Sequence, residues 1–442
     1  MKRIFLILFA LANLIYGQTS EKLVLDIDTA VGMALTKNAN ISISKMEVKK
    51  SENKLREVRS GLFPKLDASV QYQRYIEKPV IFLPAGTPFS PPGQPGILEI
   101  GSDNSFIGAV GMSVPIFASG LYDGIGIASL GVELSEVNSK SMEVKTITDV
   151  KKAFLNVLIA REYKNVMQQS LQNALENFEN VIELNKSGIL SNYDLLRAEV
   201  GVENLKPLVL QAENNYELAK EGLKITIGIN AEQKIDVIGE IDFSDSYQTP
   251  SAQDIIDQVM INNPQLNLVN KQLEITNKSI SLERSAYIPT LAAFGSYQYQ
   301  TQANDFKFAN YNWVSTFVVG VQLQIPVFNG FKTSARIKQA EIASTQVDEQ
   351  KKSLIEALKT QAQSVVYRIE QAVKRINGQM KTVQQAEEGY AIAKTRLENG
   401  VGTQLEINDA EMALRQAKLN KLQAIYDLKV AEADLQYLLG KK

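Results

Sequence analysis

Two long stretches without proline dominate the sequence. No proline occurs between Pro115 and Pro207, or between Pro326 and the C-terminus. In the second stretch, apolar residues recur every three or four positions, with polar residues at two of the steps: Ile369, Val373, Ile376, Met380, Val383, Glu387, Tyr390, Lys394 and Leu397. This spacing is typical of a coiled-coil seam. It predicts helices over about 120–187 and 330–399, each ~68 residues and about 100 Å long, packed against other long helices.

The absence of two residue types restricts the chemistry of the chain. It has 442 residues, a formal net charge of −2, and neither cysteine nor histidine. Disulfides, thiolate nucleophiles, imidazole bases and the usual zinc ligands are therefore missing. No nucleophile-elbow or phosphate-loop motif occurs, and no basic patch suggests nucleic acid. We expect no enzyme, no cofactor, no metal site and no nucleic-acid partner.

The N-terminus has the pattern of an export signal. Lys2 and Arg3 precede an apolar run from Ile4 to Ile15, and Gly17 offers a small residue for cleavage. We assign residues 1–18 as a signal peptide. A retained anchor is the alternative, but the run is short for a bilayer core of ~30 Å. Beyond it no run of ~20 apolar residues occurs, so entry into a membrane requires β-strands.

Alternating polarity predicts two β-hairpins. In the first, over 65–117, Leu66, Ala68, Val70 and Tyr72 alternate with polar residues, and a proline-rich irregular loop fills 74–104. In the second, over 290–328, strands 290–300 and 313–328 flank a short polar loop. Trp313, Phe317, Val319, Val321, Leu323 and Ile325 share one face of the last strand. Which face meets lipid stays open.

The remaining segments are predicted to be helical or turn-rich. Residues 21–62 favour helix, with Asp28 as a cap and an interruption at 38–40. A return helix runs from Ser191 to about Gly228, and Pro207 should kink it. Residues 229–250 form a joint with short β-like pieces such as Ile235 to Ile238, and a further helical segment follows from Ser251 to Ala286.

The order of elements is duplicated. Equivalent residues recur at spacings of 225, 211 or 212, and the pairs are Asn38 with Asn263, Pro64 with Pro289, Pro115 with Pro326, Gly188 with Gly400, and Gly228 with Gly440. The boundaries follow: a first repeat over 19–228 with a helical hairpin at 120–228, the joint over 229–250, and a second repeat over 251–442 with a helical hairpin at 330–440.

Two hairpins give about four strands per chain, and four strands leave open edges that a bilayer does not tolerate. Three chains would supply twelve strands, enough for a membrane barrel with a wet lumen. The fold class is therefore mainly α with a β-barrel. Aromatic residues near one end of the strands are girdle candidates, although ordinary strand composition also accounts for them: Trp313, Tyr297, Tyr299, Tyr72 and Tyr75.

Twelve long helices from three chains could form a hollow cylinder closed by the two hairpin tips, near 187–194 and 399–406. Thr403 with Glu406 has the capping-box pattern, and Ser191 with Asp194 comes close to it. The acids Asp194 and Glu406 could serve only to cap their helices, or they could also help to close the end of the cylinder.

The duplicated order and its motifs resemble the TolC-like outer-membrane efflux family, the outer-membrane factors. Val-Pro-Ile-Phe (114–117) and Ile-Pro-Val-Phe (325–328) end the two hairpins. The tips read Ser-Gly-Ile-Leu-Ser-Asn-Tyr-Asp-Leu-Leu-Arg-Ala (187–198) and Asn-Gly-Val-Gly-Thr-Gln-Leu-Glu-Ile-Asn-Asp-Ala (399–410). The resemblance implies a trimeric channel-tunnel in the outer membrane, reaching across the periplasm of a Gram-negative bacterium.

The resemblance also implies partners and roles. A periplasmic adaptor and an inner-membrane pump would deliver drugs or proteins to a passive channel. Adaptor-contact candidates at the tips are Gly188, Ser191, Gly400, Gly402 and Thr403. Glu406 and Asp409 match the positions of acids that constrict the closed tunnel in some members. Asp194 corresponds to Glu406, but Arg197 stands where a second acid is expected, and an Asp194–Arg197 pair could brace that tip. The competing class is a secreted coiled-coil scaffold without a pore.

Overall fold

The computed structural model describes residues 22–243 and 248–441, so the expected signal peptide lies outside the described residues. These residues belong to two compact units. Among the described residues, the first unit comprises those up to Val48, those within Ser135–Asn270 and those from Glu349 onward, and the second comprises Lys49–Leu134 and Lys271–Asp348.

The elements of the described residues are, in chain order, β1 (Leu23–Leu25), α1 (Ile27–Lys37), α2 (Ala39–Ser60), β2 (Lys65–Arg74), β3 (Val80–Leu83), β4 (Gly96–Glu99), β5 (Asn104–Phe117), α3 (Ser119–Lys186), α4 (Asn192–Ile227), β6 (Ile235–Val237), α5 (Ala252–Asn262), α6 (Pro264–Ser285), β7 (Thr290–Ala303), β8 (Val314–Gln324), α7 (Lys332–Glu398) and α8 (Gln404–Leu438). The two long helices, α3 and α7, match the prediction from the proline-free stretches. Helix α4 is continuous through Pro207, and the kink expected there stays a prediction.

The start of the first repeat differs from the prediction. Leu23–Leu25 is a strand rather than helix, and it pairs in parallel with β6, where Leu23 lies opposite Ile235. The helix cap is Asp26, whose side chain accepts a hydrogen bond from the Thr29 amide at 2.7 Å. Asp28, the expected cap, lies inside the first turn, where its charge favours the helix N-terminus.

A buried asparagine forms the same junction in both repeats. Asn38 donates to the carbonyl of Thr226 at 2.8 Å, and its side-chain oxygen accepts from the Asn40 amide. Asn263 donates to the carbonyl of Leu438 at 3.1 Å, and its oxygen accepts from the Gln265 amide in the same way. Each asparagine therefore caps the helix that follows it and ties it to the end of a long hairpin.

The second unit contains a four-stranded antiparallel sheet in the order β2-β5-β7-β8, with β2 and β8 at its edges. Strand β8 ends at Gln324, short of the predicted 328, and Pro326 lies just beyond it without an amide to donate. Residues 74–104, predicted to be irregular, contain the antiparallel pair β3–β4. Six prolines and its glycines obscured this short hairpin in the sequence.

The two largest hydrophobic cores of the described residues lie in the first unit. Helices α5, α7 and α8 share one, around fully buried Leu358, Ile369 and Ile376. Helices α1, α3 and α4 share the other with β1 and β6, around Leu25 and Leu223. Ile369 and Ile376 belong to the predicted seam, so the three-and-four spacing identified the buried face of α7.

We expect Gly228→Ala to destabilise the fold by about 1–3 kcal/mol. Gly228 ends α4 with φ of +85°, and a Cβ there would lie 2.7 Å from the carbonyl oxygen of Lys37. Thermal unfolding in detergent, followed by circular dichroism, would measure the loss. The control is Gly222→Ala, also in α4, where no atom lies within 4 Å of the added Cβ. An equal loss in both variants would contradict the explanation.

Candidate functional site

The first tip joins α3 to α4 and is closed by a complete capping box. The Ser191 hydroxyl accepts from the Asp194 amide at 3.2 Å, and the Asp194 carboxylate accepts from the Ser191 amide at 3.3 Å. Gly188 has φ of +76°. Asn185 spans the turn by donating to the carbonyl of Leu190 at 2.9 Å. The tip is therefore held by its own short-range hydrogen bonds.

The second tip, between α7 and α8, has only half of that capping arrangement. The Thr403 hydroxyl accepts from the Glu406 amide at 3.2 Å. The Glu406 carboxylate lies 3.5 Å from Nε of Arg396 instead of closing the box. The sequence predicted a capping box at Thr403 and only an approximate one at Ser191. The structure shows the complete box at Ser191 and half of one at Thr403. A Cβ at Gly402 would lie 2.8 Å from the Leu397 amide nitrogen, so this turn requires glycine.

The two tips contact each other through an apolar cluster. Val181, Ala198, Leu397 and Ile407 are buried there. A Cβ at Gly400, where φ is +70°, would lie 3.3 Å from the Ile189 side chain. The structure thus brings together the tip glycines and caps that were predicted separately in each repeat.

A buried polar link joins the hairpins beside this cluster, and the sequence reading missed it. Gln404 is fully buried. Its side-chain oxygen accepts from Asn177 of α3 at 3.1 Å, and its amide donates to Asn408 at 2.9 Å. The only sequence signal was a polar residue at a position of the α8 face that is otherwise apolar. This link satisfies amides whose burial would otherwise be costly.

The predicted constriction acids occupy different environments. Asp409 and Glu406 are both exposed on α8, three residues apart. Asp194 is engaged by its capping box. The expected Asp194–Arg197 ion pair is absent from the described residues, because the Arg197 guanidinium lies over the Tyr193 ring at 5.5 Å.

A cavity of about 250 Å³ lies between the hairpins near the tips. Its wall includes Asp409, Asn204, Tyr390 and the ion pair of Arg415 with Glu411, whose atoms are 2.8 Å apart. Burial, followed by the Glu411 carboxylate, raises the pKa of Tyr390, so its hydroxyl stays neutral near pH 7. The cavity wall thus combines apolar side chains such as Leu205 and Leu208 with amides, one tyrosine hydroxyl and charged groups.

The sheet of the second unit has two chemically distinct faces. The register places Tyr72 opposite Phe106, Val110 opposite Tyr297, and Tyr297 opposite Phe317. This face also carries exposed apolar side chains: Leu66, Val70, Met112, Val319, Val321 and Leu323. The alternation predicted for β8 is confirmed.

The opposite face is mainly polar. It carries Lys65, Asp67, Ser69, Gln71, Gln73, Ser105, Ser113, Ser296, Gln298, Gln300, Gln302, Thr316, Gln322 and Gln324. Lys65 and Asp67 form an ion pair at 3.1 Å, and Gln298 donates to Gln300 at 2.7 Å. Ile107, Phe294, Val314 and Val318 are the large apolar exceptions. An apolar face opposed to an amide-rich face suits a wall between lipid and water.

The predicted girdle aromatics fall into separate groups. Trp313, one residue before β8, stacks on Tyr299 with ring centroids 5.0 Å apart. Tyr72 stacks on Phe106 at the same separation, while Tyr297 lies opposite Phe317. Tyr75 lies beyond β2, half-buried, and its amide donates to the carbonyl of Asp103.

The sequence reading missed the aromatic partners of Tyr72. Phe306, Phe308 and Tyr311 cluster with Phe106. They belong to the loop that was predicted to be polar. Three aromatic residues within 305–311 were the available signal, and the surrounding Asn, Asp and Lys obscured it.

Among the helices of the described residues, none is both long and apolar enough to cross a membrane.

Comparisons with known proteins agree on one family. The profile of the outer membrane efflux protein family matches residues 30–228 and 255–441. Outer membrane protein TolC of Vibrio cholerae is 25% identical over 305 residues, covering 66% of this chain and 67% of its own length. The alkaline protease secretion protein AprF of Pseudomonas aeruginosa is 20% identical over 346 residues, covering 76% and 70%. The CmeC outer membrane channel of Campylobacter jejuni superposes with a TM-score of 0.73 at 17% identity, covering 94% of this chain and 85% of CmeC.

The long helical hairpins and the two-faced sheet thus define the fold of the outer-membrane channel-tunnels, which combines a helical barrel with a β-barrel. The chain belongs to the outer membrane efflux protein family. It is an outer-membrane channel of the kind that serves efflux and type I secretion systems, extending into the periplasm. Members of the family are homotrimeric channels rather than enzymes, and they work with an adaptor and an inner-membrane pump.

We expect Gln404→Ala to destabilise the tip by about 1–3 kcal/mol, because it leaves the Asn177 and Asn408 amides without their buried partner. Thermal unfolding of the trimer in detergent would measure it. Gln416→Ala is the matched control, since Gln416 is an exposed glutamine of the same helix with a similar bond to Asn420. Equal melting temperatures for the two variants would contradict a role for the buried link.

Proposed function

We propose that three copies of this chain form a passive exit duct for substrates that an adaptor and an inner-membrane pump deliver. The two-faced sheet with its two free edges carries the proposal. Edges β2 and β8 present unpaired backbone groups, and pairing β2 of one copy with β8 of the next would satisfy them. Three copies then supply twelve strands, which suffices for closure.

In this proposal the apolar face meets outer-membrane lipid and the glutamine-rich face lines the lumen. Tyr72, Tyr75, Tyr297, Tyr299 and Trp313 contribute to an aromatic girdle, together with the cluster around Phe106. The chain supplies no catalytic group, because the duct performs no chemistry. The energy for transport comes from the pump.

The duplicated organisation underlies the duct. We assign residues 1–18 to a signal peptide, 19–228 to the first repeat, 229–250 to a joint and 251–442 to the second repeat. The matching bonds of Asn38 and Asn263 support this division.

The tips are proposed to close the duct and to meet the adaptor. Gly188, Ser191, Gly400, Gly402 and Thr403 shape the turns that the adaptor would contact. Glu406 and Asp409 form the constriction because both are exposed on α8. Asp194 contributes less, since its carboxylate is engaged in the capping box.

Native mass spectrometry and negative-stain imaging of the detergent-extracted protein test the assembly. We expect a trimer with a rod-like body about 100 Å long, from the length of α3 and α7. A water-soluble monomer or dimer that needs no detergent would contradict the duct and favour the scaffold without a pore.

We expect Glu406→Ala with Asp409→Ala to raise the passive conductance of the reconstituted channel and to lower its preference for cations. Carboxylates at a narrow point attract cations and repel anions. Single-channel recording in planar bilayers would measure both quantities. If neither changes, these acids only support the start of the helix.

Single-cysteine labelling tests the orientation of the sheet. The chain has no native cysteine, so no background must be removed. Gln322 and Val321 are neighbours on opposite faces of β8. We expect a charged, membrane-impermeant thiol reagent to label Gln322→Cys much faster than Val321→Cys in outer-membrane vesicles. The reverse order would place the glutamines against lipid and refute the proposed lumen.

A further inference from the structure

The two tips share a backbone arrangement, but the residue whose carbonyl closes the turn carries a different kind of side chain in each. At the first tip, the carbonyl of Leu184 accepts hydrogen bonds from the amides of Ile189 and Leu190. At the second, the carbonyl of Arg396 accepts from the amides of Val401 and Gly402. Leu184 and Arg396 are therefore structural equivalents, and only the second repeat has a charged side chain there.

The Arg396 side chain turns back across its own tip. Its Nη2 donates to the carbonyl of Val401 at 3.3 Å, while Nε lies 3.5 Å from the Glu406 carboxylate. The backbone bonds and the contact with Val401 together restrict the guanidinium to the α8 side of the turn. It engages the Glu406 carboxylate, whereas the equivalent carboxylate of Asp194 accepts a hydrogen bond from the Ser191 amide.

This contact changes the charge of the tip. Glu406 faces a guanidinium, whereas Asp409 has no ion pair among the described residues. The two acids and Arg396 together leave one unit of negative charge per chain instead of two. The pair is half exposed, so it adds little stability. Its charges nevertheless lie well within the Debye length of ~10 Å at 0.1 M salt, so an ion near the tip experiences their sum.

We propose that Arg396 sets the ion selectivity of the tip by offsetting Glu406, which leaves Asp409 as the main cation-attracting group. The inference rests on the proposed constriction by Glu406 and Asp409. The proposal adds Arg396 of α7 to the residues that determine selectivity, whereas the acidic residues of α8 alone do not indicate it.

The test is the reversal potential of the reconstituted full-length trimer across a KCl gradient. Arg396→Gln raises the net negative charge of these three groups from one unit to two, so the cation-to-anion permeability ratio should roughly double. Asp409→Asn and Glu406→Gln each remove the net charge, and the ratio should fall towards one. The double variant Arg396→Gln with Glu406→Gln restores one negative charge and should return the wild-type ratio.

Two control variants test whether the effect comes from the charge of Arg396 and whether it requires a position at the tip. Arg396→Lys keeps the charge and should keep the ratio. Arg375→Gln removes an arginine of the same helix that pairs with Asp427 at 2.8 Å, about 30 Å from Arg396, and should leave the ratio unchanged. Native mass spectrometry of every variant establishes that the trimer is intact.

The outcomes distinguish the two proposals. If the acid variants change the ratio and Arg396→Gln does not, the role of Arg396 is refuted while the constriction stands. If neither acid variant changes the ratio, the constriction itself is wrong and the role of Arg396 is refuted with it. A double variant that keeps the raised ratio of Arg396→Gln would show that the arginine acts on a charge other than Glu406.

Discussion

The unpaired backbone at the edges of the four-stranded sheet is the constraint on which the architecture depends. Each chain offers β2 and β8 as edges. An edge strand in hydrocarbon leaves its amides and carbonyls unsatisfied at a cost of several kcal/mol per group. A single chain therefore has no stable place in a bilayer, and closure must come from other copies. Duplication within the chain reduces the number of copies needed, because each one supplies two hairpins.

The helical part meets a different requirement, since long amphipathic helices gain stability only where their seams are buried. The two helical hairpins are held at their ends by the same arrangement of hydrogen bonds. In each, a buried asparagine bonds to the end of the returning helix, and a glycine with positive φ follows that helix. A Cβ on Gly228 or Gly440 would lie within 2.7 Å of a carbonyl oxygen at the junction. The asparagine side chain and the glycine backbone therefore act together at both junctions.

Periodicity made much of this fold predictable. The seam of α7 and the alternation in β2 and β8 each follow from burial of one face, which a single sequence shows directly. Features set by specific partners were not predictable. Asp26 rather than Asp28 caps α1, β1 exists because β6 lies beside it, and Gln404 is buried because Asn177 and Asn408 satisfy it. The tips were located correctly, but the capping boxes were assigned in reverse, because sequence spacing does not show which partner a carboxylate chooses.

The two tips have the same backbone geometry, but their carboxylates bind different partners. Asp194 closes its own capping box, so its charge is used locally at the first tip. Glu406 turns to Arg396 and forms an exposed ion pair between α7 and α8, which adds little to the stability of the turn. Hydrogen bonds of the main chain are the same at Leu184 and Arg396, so either side chain is compatible with the turn. The shared main-chain hydrogen bonds thus leave the side chains free to differ, and the second tip carries an arginine beside Glu406 where the first carries a leucine.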